Sequence, residues 1–240
     1  MKCLTWNLEW SSPKSKRLPI IQQMIAEEDP DVVCYTEVIR TILPEGHIIE
    51  ADADYGYSKT GDRRKVVLWS RTPWTEVDIL GDAKMPTGRF ISGVTGGIRF
   101  VGVCISWRDA HVRSGRRDRS SWEDHISYCE GLQEVLSKYS SLNQPICILG
   151  DYNQRIPRFR QPVKVFNALM EAIPDDFIIA TDGLSDSNGN GLIDHISSSS
   201  SLQPTITKIL PRFSKDGTRL SDHVGVLGQL KPIKMENKSQ

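Results

Sequence analysis

A chain of 240 residues with 38% apolar and 25% charged residues is long enough to bury a substantial core, and no apolar run approaches membrane-spanning length. Lys+Arg and Asp+Glu both number 30, so the formal net charge is zero and gives no global attraction to nucleic acid; any hold on phosphate must come from local clusters. The five cysteines, Cys3, Cys34, Cys104, Cys129 and Cys147, are odd in number, scattered and not at metal-ligand spacing, which points to buried, reduced thiols in a cytoplasmic protein.

Met1 to Leu8 runs straight into a strand-like segment with no basic region and apolar stretch before it, so no secretory signal is expected. Apolar periodicity then predicts strands at Lys2–Leu8, Asp31–Thr36, Lys65–Ser70, Glu76–Leu80, Arg89–Thr95 and Ile98–Ser106. Further strands are predicted at Pro145–Gly150, Phe177–Ala180, Leu192–Ser197, Thr205–Ile209 and Val224–Leu230. Helices are predicted at Leu18–Glu28, Ser121–Tyr139 and Val163–Ala172. The middle helix carries Trp122, Ile126, Cys129, Leu132 and Leu136 on one face, with Ser121 and Asp124 placed for a capping box. Gly96-Gly97 between two strands marks a hairpin. Many strands with few helices point to large mixed sheets with helices outside, in one domain over residues 1–230 followed by a polar tail, 231–240. The Ser197–Ser201 run reads as a short loop.

Polar residues gather at the ends of these strands. Asn7 and Glu9 follow the first, Glu37 the second, and Asp151 and Asn153 follow Pro145–Gly150. Asp194 lies in Leu192-Ile193-Asp194-His195-Ile196, and Asp222 with His223 opens the last strand. Rigid scaffolds present catalytic groups at such ends. Carboxylates and amides suit a hard cation such as Mg²⁺, which prefers oxygen ligands and keeps several waters. An imidazole beside a carboxylate supplies an acid or base, and a second carboxylate can lock its tautomer. Each fragment alone is commonly a turn or a cap, since Asp and Asn bond their own backbone; their joint order along the chain changes the odds.

The blocks Trp6-Asn7-Leu8-Glu9, Thr36-Glu37-Val38, Gly150-Asp151-Tyr152-Asn153, Ile193-Asp194-His195-Ile196 and Ser221-Asp222-His223 resemble, in order, those of the endonuclease/exonuclease/phosphatase superfamily. That superfamily includes apurinic-site endonucleases, pancreatic-type deoxyribonucleases, sphingomyelinases and inositol polyphosphate phosphatases. The resemblance implies a four-layered α/β sandwich with its site at one end of two packed mixed sheets. It implies Mg²⁺ or Mn²⁺ held principally by Glu37, assisted by Glu9 and Asp222, with Asn7 nearby. It also implies that Asp151 and Asn153 orient or deprotonate the attacking water, and that His223, oriented by Asp194, contacts the scissile phosphate or acts as acid or base. Which of Asp151 and His223 is the base stays open. One departure is Ser106, where members carry His or Tyr; either that contact is missing or Arg108 or His111 replaces it.

Basic segments lie near these blocks. Arg108–Arg119 holds five arginines against two aspartates, Arg155, Arg158 and Arg160 follow Asn153, and Arg63-Arg64-Lys65 precedes a strand. Arginine pairs phosphate bidentately, so Arg108, His111, Arg116, Arg117 and Arg155 are the expected substrate-binding residues; a solvated surface is the plainer alternative for Arg113–Arg119. The six tryptophans are expected mainly in the core, with Trp74 and Trp107 open to a stacking role. Asp186 to Asp194 matches the first positions of a calcium loop, but Ser197 stands where glutamate is required, so a polar turn delivering Asp194 is expected. The leading function is a nuclease; the alternatives are a phosphatase or phosphodiesterase on a small molecule or lipid head group, and a degenerate, non-catalytic binding module. A nucleic acid is the expected partner and a membrane is not.

Overall fold

A computed structural model describes residues 1–58 and 61–233. In chain order the elements are β1 (Lys2–Asn7), α1 (Arg17–Glu28), β2 (Val32–Ile39), a single 3-10 turn (Arg40–Ile42), β3 (His47–Glu50), β4 (Arg63–Ser70), β5 (Thr75–Asp78), β6 (Phe90–Thr95) and β7 (Ile98–Cys104). There follow α2 (Glu123–Ser140), β8 (Ile146–Asp151), α3 (Val163–Ala172), β9 (Ile178–Ile179), β10 (Asp194–Ser198), β11 (Leu202–Leu210) and β12 (Gly225–Pro232).

The strands form two six-stranded mixed sheets, ordered β11-β12-β1-β2-β4-β3 and β5-β6-β7-β8-β10-β9. Each contains one parallel pair, β1 with β2 and β7 with β8. Period-two alternation explains the layering. In β8, Cys147 and Leu149 face the other sheet while Ile146 and Ile148 face α2 and α3. In β1, Cys3 faces inward while Leu4 and Trp6 pack with Leu18, Ile21 and Ile25 of α1. Both faces of the central strands are therefore apolar, and the result is the four-layered sandwich expected: α1, sheet, sheet, then α2 with α3. All five thiols are free and buried. Among the described residues no helix is long and apolar enough to cross a membrane.

The departures from expectation have local causes. The unpredicted β3 is a four-residue edge strand paired only to β4, too short and too exposed to show alternation. The predicted capping box at α2 does not form. Trp122, in a left-handed conformation, is the N-cap, the Ser121 hydroxyl donates to Asp109, and Asp124 instead accepts from His111 and Arg119. Ser197 and Ser198 belong to β10, not to a loop, because both pair with β8. The last strand continues to Pro232, two residues into the stretch read as tail; 234–240 lies outside the described residues.

Candidate active site

The parallel strands β1, β2 and β8 end at the same edge at which the antiparallel β10 and β12 begin, so the sequence blocks converge there. Asp151 sits in register with Asp194 on one side and Cys104 on the other. The end of β8 needs glycine at Gly150: at φ +145° an added Cβ would lie 2.0 Å from the Val103 carbonyl oxygen. Glu37 has φ 47° within β2, and the pairing to β4 passes directly from Thr36 to Val38 around it. Asn153 has φ 54°. Non-glycine residues in the left-handed region are uncommon, and they cluster where function over-determines the backbone.

The side chains interlock across the two sheets. Asp151 Oδ2 accepts from Asn7 Nδ2 at 3.2 Å and from Asn153 Nδ2 at 3.1 Å, and its Oδ1 accepts from the Asn153 backbone N–H at 2.9 Å. His223 Nδ1 meets Asp194 Oδ2 at 2.6 Å. Asp194 is buried, and its Oδ1 has no partner among the described residues. The Ser221 hydroxyl donates to the Asn7 carbonyl at 2.6 Å and accepts from the His223 N–H at 3.1 Å, tying β1 to the turn before β12.

Burial and neighbouring charge set the protonation of this group. Desolvation, with the charges of Asp194 and Glu37, pushes Asp151 up to about 7 against the opposing pull of His223. For His223, burial acts downward, but Asp194 and Asp151 outweigh it and push the imidazole up to about 10. Asp151, Asp194 and His223 offer ligand atoms that all lie within 4.8 Å of one another. This is a different trio from the expected metal set. Glu37 stands apart from it, with Oε1 on Lys65 Nζ at 2.6 Å, and Asp222 is half exposed, its Oδ1 3.8 Å from His223 Nε2. A hard cation fits the donor chemistry of this edge, where Glu37, Asp222, Asp151 and Asp194 bring carboxylate oxygens and Asp194 Oδ1 is buried without a partner among the described residues.

Three of the expected residues meet protein partners. Glu9 Oε2 pairs with Arg17 at 2.7 Å and its Oε1 with Arg219 at 2.6 Å. His111 does not replace the missing His or Tyr. Its ring is fully buried, with Nδ1 on Asp124 and Nε2 on the Tyr55 carbonyl, and neither nitrogen reaches a substrate. Arg116 pairs with Asp118 in its own loop and with Asp124 in the first turn of α2, whereas Arg117 is exposed and without an ion pair among the described residues. Arg108 and Arg155 do lie beside Asn153, around one cleft. The Asp186 segment is the expected turn: Asp186 Oδ1 accepts from the backbone N–H groups of Asn188 and Asn190, and Oδ2 pairs with Arg212.

Two residues at this end escaped the sequence reading. Lys65, expected as the start of a strand and as part of a basic cluster, is buried against Glu37. Arg89 precedes β6, with its carbonyl on the Cys104 N–H, so Arg89, Cys104, Asp151 and Asp194 share one cross-strand row. Its guanidinium is buried, donates only to the Cys104 carbonyl at 3.5 Å, and leaves Nε and Nη2 without partners among the described residues. A lone arginine opening an apolar strand was the available signal.

Beneath Asn153 lies a polar support. His125 Nδ1 donates to the Ser106 carbonyl at 2.7 Å, and Gln154 Nε2 donates to His125 Nε2 at 2.6 Å. Burial pulls His125 down to about 4. It therefore stays neutral when folded but charges at about pH 6.5 when unfolded. Its contribution is present above pH 6.5 and is lost as pH falls towards 4, to the extent of about 3 kcal/mol. His125→Gln removes this slope, so the difference between wild-type and variant urea-unfolding free energies should change with pH across that window; a pH-independent difference would refute the assignment.

The profile of the endonuclease/exonuclease/phosphatase family matches residues 4–223, a span that runs from β1 to His223. The chain belongs to this family. No curated protein sequence matches it. Solved structures of the family's fold superimpose over almost its whole length. A 3'-5' exonuclease, NExo, from Neisseria meningitidis gives a TM-score of 0.65 at 18% identity, covering 95% of this chain and 99% of that one. An AP endonuclease from Archaeoglobus fulgidus gives 0.68 at 16% identity, covering 95% and 98%. A NExo variant described as a 3' phosphatase bound to a product DNA hairpin gives 0.67 at 18% identity, covering 96% and 99%. Family members hydrolyse phosphate esters, and at these identities the likeness carries the fold.

Proposed function

We propose that this protein is a divalent-metal-dependent phosphodiesterase that cleaves nucleic acid by water attack. The observation that carries the reading is the joined set Asn7–Asp151–Asn153 with Asp194–His223 at one buried edge, beside a cleft lined by Arg108, Arg155 and Arg160. A carboxylate poised near neutrality, held by two asparagine amides, is suited to orient a water and accept its proton. Because His223 presents Nδ1 to Asp194, its Nε2 is the atom left to donate to a phosphate oxygen or to the leaving oxygen. Asn153 Nδ2 already donates to the Ile105 carbonyl and Asp151, so its amide is fixed in place before substrate arrives. Glu37 and Asp222, with Asn7 nearby, would hold Mg²⁺ or Mn²⁺, which when bound supplies positive charge to the phosphate and acidifies water.

Nucleic acid is favoured over a small ester because a polyanion rewards several separate cationic contacts, and the DNA hairpin bound to the Neisseria relative is in keeping with that choice. A phosphomonoesterase is the second reading, favoured by the description of the Neisseria relative as both a 3'-5' exonuclease and a 3' phosphatase. The degenerate-module reading is disfavoured, since an acidic cluster without a task would destabilise the buried edge through self-repulsion. The test is a substrate panel in Mg²⁺ or Mn²⁺: single- and double-stranded DNA, RNA, abasic DNA, 3'-phosphorylated ends, inositol phosphates and sphingomyelin. Cleavage within or from the end of a nucleic acid strand is the expected result. Release of inorganic phosphate alone would replace this reading with the second.

A further inference from the structure

The loop from Arg155 to Gln161 follows directly from Asn153 and is built more tightly than a solvated surface requires. Gln161 clamps it from within: Oε1 accepts the N–H groups of Phe159 at 2.9 Å and Arg160 at 3.0 Å, and Nε2 donates to the Arg155 carbonyl at 2.8 Å. Arg158 Nη1 donates to the Gln161 carbonyl at 2.9 Å. Arg155 Nε donates to the Gly191 carbonyl at 3.2 Å, and its Cδ lies 3.2 Å from where a Cβ on Gly191 would stand, so glycine there makes room for the arginine. On this frame Phe159 is 56% exposed, a large ring held in solvent. The guanidinium carbons of Arg155 and Arg160 lie over that ring, 5.0 Å and 4.9 Å from its centre. Arg155, Arg158 and Arg160 pair with no carboxylate among the described residues, unlike Arg116 and Arg119. A cleft of about 260 Å³ joins Arg108, Trp122, Asn153, Arg155, Phe159 and Arg160.

We propose that this cleft is a subsite for one unpaired nucleotide next to the scissile phosphate, its base stacking on the Phe159–arginine pile and its phosphate held by Arg155 and Arg160. The inference rests on the nucleic-acid reading above and deepens it by naming a single strand or a frayed end as the substrate. The chemistry is specific to that ligand. Guanidinium planes and aromatic rings both stack on bases, and stacking tolerates any sequence. Unpaired arginines in a pre-ordered loop take phosphate without first breaking an ion pair. A base still paired within a duplex is stacked on its neighbours and does not offer a free face to Phe159. Asn153 contributes to both the cleft and the Asp151 network, which places the occupant one residue from the chemistry.

The test measures binding with catalysis switched off by EDTA, using a short fluorescent single-stranded DNA, the same strand in a duplex, and the same strand with abasic spacers. Phe159→Ala should weaken the single strand about tenfold. It should leave the duplex and the abasic strand nearly unchanged, and Phe159→Tyr should restore affinity. Arg160→Gln should weaken the normal and abasic strands alike and reduce the salt dependence of binding. Because Phe159 is exposed, both variants should keep the wild-type circular dichroism and melting temperature. Unchanged single-strand affinity in Phe159→Ala, or an equal loss on the abasic strand, overturns the subsite. If wild type cleaves nucleic acid while Phe159→Ala binds like wild type, the subsite is wrong and the nuclease reading stands. If wild type only dephosphorylates ends yet binds strands through Phe159, the nuclease reading fails and the subsite stands.

Discussion

His223→Ala should lower turnover by about two to four orders of magnitude, the range for losing acid–base assistance. The reason is geometric. His223 is nearly buried, its Nδ1 is held 2.6 Å from Asp194 Oδ2, and the remaining nitrogen is the group left for phosphoryl chemistry. Asp194→Asn should cost nearly as much, because an amide can present its N–H to Nδ1 and lock the opposite tautomer. The double variant should be little slower than the worse single one, since residues acting as one unit are not additive. Single-turnover rates on the substrate identified by the panel are the measurement. Circular dichroism should be unchanged, because Asp194→Asn is isosteric and His223 packs at the edge of the sheets rather than between them. Near-wild-type turnover in His223→Ala would remove the imidazole from the reaction.

Activity should vanish in EDTA and return with Mg²⁺ or Mn²⁺, and the two glutamates expected from sequence as ligands should then part company. Glu37 offers Oε2, which carries no hydrogen bond among the described residues, and Lys65 orients its other oxygen. Glu37→Gln should raise the metal concentration needed for half-maximal activity by about tenfold or more, with Asp222→Asn acting in the same direction. Glu9→Gln should leave that concentration unchanged, because Arg17 and Arg219 already hold both oxygens of Glu9; its effect should be a lower melting temperature. Metal titrations of activity, together with calorimetric titration of metal binding to the three variants, separate the two roles. Full activity in chelator would end the metal mechanism, and a metal requirement raised by Glu9→Gln as much as by Glu37→Gln would return Glu9 to the ligand set.

Local pattern in the sequence determined large mixed sheets with helices outside and polar residues at strand ends, while the four layers and the single edge for the chemistry were implied by the family resemblance of the ordered blocks. Unbroken apolar runs such as Ile146–Leu149, the three amphipathic helices, and polar residues following apolar runs are properties of neighbours in the chain. They survive without knowledge of distant contacts, and so Asn7, Asp151, Asn153, Asp194 and His223 could be named and are brought together. Which charged side chain meets which was decided only by tertiary structure. Glu9 stands in a block that resembles a metal-binding one, and only the fold shows Arg219, far along the chain, paired to it. His111 looks like a phosphate contact until α2 supplies Asp124 and buries the ring. Arg89 looks like an ordinary strand start until pairing sets it in the row of Asp151 and Asp194. The physical reason is that a long polar side chain has its environment set by partners distant in sequence, whereas an apolar residue in a regular element needs only to find the inside.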